Sequence, residues 1–165
     1  MDTNGKLYTC SSKFSDRLCQ IGLFITHFQV ANCIFCRIAS GEIPCAKVYE
    51  DEYVLAFLDL APVHPGHTLV IPKTHYKDML EVPAELGTAV FAAIQKVAAA
   101  VLEATGAQGF NVMQNNRLAA GQTVFHIHWH IIPRFEGDGL ELWAQGKYAD
   151  GAAMQQMAAK VAACL

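Results

Sequence analysis

The chain is poor in charge. Only 16% of its 165 residues are Asp, Glu, Lys or Arg, and 12 basic side chains against 15 acidic ones leave a formal charge of −3. That balance supplies no positive field for gripping long nucleic acid, so a small ligand is the expected partner. Long apolar runs are also missing, and none reaches the length needed to span a bilayer. There is no internal repeat and no low-complexity tract. The cysteines, six in all, lack the even spacing and short loop-rich setting of a disulfide framework, which points to a reducing compartment and a cytoplasmic location. Residues 1–30 lack the basic start, apolar core and cleavage site of a secretory signal. Their single arginine, Arg17, stands beside Asp16, so they do not read as a transit peptide either. They are expected to form a disordered or loosely packed extension with no assigned function.

What is present is a hydrophobic fraction of 53%, enough for one globular domain with a proper core, residues 31–165. The distinctive stretch is Thr123-Val124-Phe125-His126-Ile127-His128-Trp129-His130-Ile131-Ile132-Pro133-Arg134. In a strand, side chains alternate between faces, so the three imidazoles share one face at roughly 6.5–7 Å spacing and the apolar residues share the other. β-branched and aromatic residues favour the strand. An edge strand with partly exposed histidines and a metal-binding row are the competing readings. Imidazoles at i and i+2 diverge from a common tetrahedral centre, which weighs against the row.

The remaining pattern is α+β with an antiparallel sheet. Ile34 and Ile38 suggest a short helix ended by Ser40-Gly41. Strands are expected at Val48–Glu50, Tyr53–Leu58, His67–Pro72 and Phe110–Gln114. A long alanine-rich helix runs from about Pro83 to Ala104 and stops at Gly106, and a last helix runs from about Ala152 to Cys164. Neutral imidazole is a nucleophile and a base near pH 7. The loop Ala120-Gly121-Gln122-Thr123 before the triad combines close backbone approach with hydroxyl and amide donors, which favours a phosphate as the electrophile.

The stretch resembles the signature of the histidine triad (HIT) family, His-φ-His-φ-His-φ-φ with φ apolar. Cys33–Ile38, Phe57-Leu58-Asp59-Leu60-Ala61-Pro62, Pro65–Lys73 and Gly121-Gln122-Thr123 resemble further family landmarks in order, over roughly Asn32 to Arg134. The resemblance implies a two-layer HIT-like fold, a homodimer, and a nucleotide hydrolase of the zinc-bearing, bacterial-type branch acting at the α-phosphate of purine nucleoside phosphoramidates. It implies His128 as the nucleophile, forming a nucleotidyl-histidine, and His130 near the leaving group. Gly121, Gln122 and Thr123, with Asn115 nearby, would meet the phosphate. Asp59 would hold the ribose hydroxyls, and Ile34, Phe35, Ile38, Phe57, Leu60 and Leu69 would form the base pocket of an AMP- or GMP-type ligand. Taken alone, Asp59 reads as a turn former and the apolar six as core.

Cys33 and Cys36 form a C-x-x-C. The resemblance to zinc-bearing members, the galactose-1-phosphate uridylyltransferases among them, implies a structural zinc held with His75 and His126. A redox dithiol and two ordinary buried thiols are the alternatives. His67 resembles a position near the active site but alone reads as a strand-end polar residue. His64 and His27 read as surface residues. Arg134 resembles the arginine that follows the triad in dinucleoside polyphosphate hydrolases, or is simply a surface cation. Dinucleoside polyphosphate hydrolysis is the second enzymatic reading, and a nucleotide-binding regulatory or scaffolding protein with incidental activity is the reading of another class.

Overall fold

The structure, a computed structural model, describes residues 32–141 and 143–165. The expectations for residues 1–30, His27 included, lie outside the described residues. The order of elements is α1 (Ile34–Ala39), β1 (Lys47–Glu50), β2 (Val54–Leu58), β3 (Thr68–Pro72), α2 (Ala84–Thr105), β4 (Gly109–Met113), β5 (Trp129–Arg134) and α3 (Gly151–Ala162). The strands form one antiparallel sheet in the order β1-β2-β3-β5-β4.

β2 and β3 read as unbroken apolar runs because both faces of the sheet are covered. One face carries Val54, Ala56, Val70 and Ile131, and α2 packs Val90, Ala93, Ile94, Val97, Ala98 and Val101 against it. The other face carries Leu55, Phe57, Leu69 and Ile71, covered by Phe35 and Ile38 of α1 and by Cys45 and Val124. The alternation of side chains along each strand therefore sorts one run of residues into two cores.

α2 is long and apolar enough to cross a membrane by length and composition, which corrects the expectation that no such run exists. Its buried stripe lies on the sheet, as a core helix requires. Gly106 ends it at φ 68, its N–H donating to the Leu102 carbonyl. Gly66, at φ 97, has no room for a Cβ, which would stand 2.6 Å from Cγ2 of Thr105. The turn into β3 thus rests on the last turn of α2. In α3, capped by the Asp150 carboxylate, no residue is buried.

The triad stretch departs from expectation at one point. The strand begins only at Trp129, so His126 and His128 precede it. Here the Ile127 N–H donates to the Tyr76 carbonyl at 2.7 Å, and the Pro72 carbonyl takes the side chain of His126 rather than a ladder amide. The shared face survives nonetheless. Leu69 pairs with His130 and Val70 with Trp129, which sets His130 on the α1 side of the sheet and Trp129 on the α2 side.

Candidate active site

Three backbone groups, whose roles as donor or acceptor are fixed, determine the tautomers of the histidines. The His126 carbonyl can only accept, and Nδ1 of His128 lies 2.7 Å from it. Nδ1 of His128 therefore carries the proton and Nε2 holds a free lone pair. The Val63 N–H can only donate, and it points at Nδ1 of His67 at 3.2 Å. His67 is then protonated on Nε2 and donates to Nδ1 of His130 at 2.9 Å. That leaves the proton of His130 on its Nε2. The Pro72 carbonyl, 2.9 Å from Nε2 of His126, fixes the third tautomer and turns a bare Nδ1 toward Cys33 and Cys36.

The rings of His128 and His130 lie 4.9 Å apart, and Phe35 packs edge-on against His128 at 5.2 Å. Burial pushes the pKa of His128 down, against an opposing pull from the His126 carbonyl and Asp59. Burial, followed by the neighbouring His128 and His67, brings His130 down to about 4. Both imidazoles are neutral at neutral pH. The site thus pairs an unprotonated nitrogen with a nitrogen that bears a hydrogen.

Both rings open on a cleft of about 280 Å³. Its walls include Ile34, Phe35, Ile38, Phe57, Leu60, Leu69, Asp59 and Thr123, so the structure brings together all six residues expected around the base with the acid and the hydroxyl. Leu58, at the end of β2, adds to the wall, and Ile43, Pro44, Cys45, Ala46 and Val124 complete the lining. None of the latter group was singled out from sequence, where they read as the approach to β1 and the start of the triad stretch. Asp59 keeps the turn-forming role as well, its Oδ1 accepting from the Ala61 N–H at 2.9 Å and its Oδ2 lying 3.7 Å from Nε2 of His67.

Asn115 and Gly121 are neighbours, since a Cβ on Gly121 would stand 3.7 Å from Nδ2 of Asn115. Gly121 adopts φ 86, but neither residue lines the cleft. Gln122 corrects an expectation. It is fully buried, its Oε1 accepts from the Arg117 N–H at 2.6 Å, and its Nε2 donates to the carbonyls of Lys77 at 2.7 Å and Val124 at 3.1 Å. With its polar atoms so engaged it braces the loop and cannot offer its amide to a phosphate.

His67, which by resemblance alone belongs near the active site, stands there in the structure. It is 4% exposed and sets the tautomer of His130, which is more than the strand-end polar residue that its local sequence suggests. His64 is not a plain surface residue either, because its ring packs on Phe135 and its Nε2 is buried 3.6 Å from Asp138. Arg134 is no free cation. Its guanidinium donates twice to Asp138, at 2.6 and 2.8 Å, and also to Asn111 and the Leu140 carbonyl.

Behind the triad, Cys33, Cys36, His75 and His126 bring four donor atoms within 4.8 Å of one another. Nδ1 of His126 is 3.5 Å from each sulfur, and Nδ1 of His75 is 3.3 Å from that of Cys36. Two sulfurs and two imidazole nitrogens in a closed group are a donor set suited to tetrahedral zinc. Burial and the adjacent Cys33 push the Cys36 thiol up to about 12, a penalty on thiolate that a bound divalent cation reverses. Asp59, His67 and His130 also cluster, but that group does not suit a metal. Ligation through Nε2 of His67 would put a proton on Nδ1, against the Val63 N–H.

An imidazole with an unprotonated nitrogen, set beside an apolar cleft with a carboxylate on its wall, is chemically suited to attack an electrophile bound there. Comparison with known proteins agrees. The family model of the HIT domain matches residues 40–137. The Protein hit of Bacillus subtilis is 55% identical over 109 residues, covering 66% of this chain and 75% of that protein. An adenylylsulfatase of Arabidopsis thaliana is 46% identical over 113 residues, 68% of this chain and 56% of that one, and an adenosine 5′-monophosphoramidase of Schizosaccharomyces pombe is 46% identical over 103 residues, 62% and 74%. Among solved structures, a HIT-family protein of Bacillus subtilis superposes with a TM-score of 0.75 at 44% identity, over 81% of this chain and 97% of that one. A zinc-bound histidine triad protein of Mycobacterium smegmatis gives 0.65 at 40% identity, over 79% and 99%. The chain belongs to the HIT-domain family, and its site is that of a nucleotide hydrolase.

Proposed function

We propose that this hydrolase cleaves purine nucleoside phosphoramidates and related adducts at the α-phosphorus, releasing a nucleoside monophosphate. The observation that carries the reading is the lone pair on Nε2 of His128, fixed at the cleft by the His126 carbonyl at 2.7 Å. Nε2 attacks phosphorus, the bond to the leaving group breaks, and the pair of electrons departs with it. An amine leaves with a proton, and Nε2–H of His130 is the donor, made available by His67. Water then adds to the nucleotidyl-histidine, gives up its proton to His130, and the P–N bond breaks to return the electron pair to Nε2 of His128. Asp59 holds the ribose and Thr123 the phosphate. The phosphoramidase and adenylylsulfatase named among the relatives support a leaving group that is not a nucleotide. Dinucleoside polyphosphate hydrolysis loses the support of Arg134, which is tied to Asp138.

Zinc, bound by Cys33, Cys36, His75 and His126, would supply structural cross-linking of α1 to the triad segment. β4 is an edge strand that exposes Phe110 and Val112, 42% and 43% accessible, which supports a homodimer joined through that edge. Turnover of adenosine 5′-phosphoramidate and of a diadenosine polyphosphate, on wild type and His128→Ala, tests the reading. The expected result is preference for the phosphoramidate and a loss in the variant of at least about a thousandfold. Preference for the dinucleotide, or an active variant, contradicts it.

A further inference from the structure

A second and larger cavity, of about 560 Å³, adjoins the nucleoside cleft. The two share Ile34, Thr123 and Val124 on their walls, so they meet at the residues beside the proposed phosphate position. His128 lines only the smaller one. In-line displacement sends the leaving group away from the attacking nitrogen, and a group departing from His128 past Thr123 enters the larger cavity.

Lys77 is the cationic side chain on its wall, with Nζ 5.7 Å from the ring centroid of Phe125, another wall residue. Lys77 takes part in none of the ion pairs among the described residues. Its backbone is fixed to the phosphate loop. The N–H donates to Glu81 at 2.7 Å, and the carbonyl accepts from the buried Gln122, whose same nitrogen also reaches the Val124 carbonyl. The backbone that carries Lys77 is thereby tied to the loop that carries Thr123, and the exposed side chain extends from it over Phe125.

We propose that this cavity receives the leaving group and that Lys77 selects leaving groups bearing a tetrahedral oxyanion, a sulfate or a phosphate. The inference rests on the reading of His128 as nucleophile. With such a substrate the Nε2–P bond forms as the P–O bond breaks, and the electron pair stays on the departing oxyanion. The anion needs no proton, only a counter-charge, and the Lys77 ammonium provides it.

The test measures kcat/KM of the full chain for adenosine 5′-phosphosulfate, a diadenosine polyphosphate and adenosine 5′-phosphoramidate, in wild type, Lys77→Gln and Lys77→Arg. In Lys77→Gln the ratio of phosphosulfate to phosphoramidate should fall about tenfold, and Lys77→Arg should restore most of it. An unchanged ratio in Lys77→Gln overturns the proposal, as does a fall that Lys77→Arg does not rescue. Phe125→Leu separates the two sources of oxyanion. Given the Lys77 effect, a selective loss of dinucleotide turnover assigns the ring to a second nucleoside, and its absence assigns the cavity to sulfate. Wild type that turns over none of the three overturns the reading of His128 and this inference together, whereas the Lys77 ratio alone tests only the latter.

Discussion

His128 and His130 are the same residue two positions apart, and their chemistry differs because of what meets each Nδ1. A carbonyl accepts a hydrogen bond from one and His67 donates a hydrogen bond to the other, so one ring presents a bare nitrogen to the cleft and the other an N–H. The depressed pKa of His130 has a consequence for stability. Its folded value of about 4 lies below the usual 6.5, so between those values the unfolded chain binds a proton that the folded one does not. Stability attributable to His130 is therefore complete above about pH 6.5 and declines as pH falls toward 4, by on the order of 2 kcal/mol. Comparing denaturant unfolding of wild type and His130→Gln from pH 7 to 4.5 should show a shallower decline in the variant. Parallel curves would contradict the assignment. Arg117 offers a second prediction at this scale. It holds φ 68 and ψ 164, a conformation that costs a side-chain-bearing residue about 1–3 kcal/mol. Its bond to Asp78, in which the carboxylate is buried and only the guanidinium is exposed, returns about 1 kcal/mol. Even after the entropic penalty of glycine, Arg117→Gly should leave stability unchanged or raise it by up to about 1 kcal/mol in thermal unfolding. A clear fall would mean that the Asp78 contact does more than its exposure suggests.

At the scale of elements, the α-helices and strands β1 to β4 were legible from period and punctuation to within a few residues, most plainly α2, β2 and β3, whose buried faces the spacing announces. The short 3-10 turns Met79–Glu81 and Leu118–Ala120 were not. Nor was the interrupted start of β5. The partner of Ile127 is a carbonyl at Tyr76, 51 positions back in sequence, and nothing local marks that pairing. Gln122 misled for a related reason: an amide beside a glycine reads as a phosphate donor until its three backbone partners are known. The pairing of Arg134 with Asp138 had a local signal, opposite charges four residues apart, but the resemblance to a polyphosphate-binding arginine drew the reading elsewhere. Gly66 gives the test of how elements meet. Gly66→Ala places a methyl 2.6 Å from Thr105 at φ 97, and should cost about 1–3 kcal/mol in thermal unfolding. Thr105→Ser together with it should recover the steric part and not the backbone part.

Across the whole molecule, the α1 face of the sheet carries both the cleft and the cysteine–histidine cluster, and His126, a member of the cluster, links the two. Its ring faces the sulfurs while its carbonyl fixes the tautomer of His128. The purified protein should hold one zinc per chain by elemental analysis. Chelation should lower the thermal midpoint before it lowers activity, and Cys33→Ser should reduce both metal content and midpoint. A metal-free wild type with full stability would contradict the structural role. This coupling was legible only through family resemblance, since C-x-x-C alone does not say which two histidines lie opposite it.

The proposed chemistry starts at Nε2 of His128. Rapid quenching of wild type with adenosine 5′-phosphoramidate, followed by peptide mass analysis, should trap a nucleotidyl adduct on the peptide carrying His128, absent from His128→Ala along with turnover. Turnover that persists in His128→Ala, or an adduct on another residue, would contradict it.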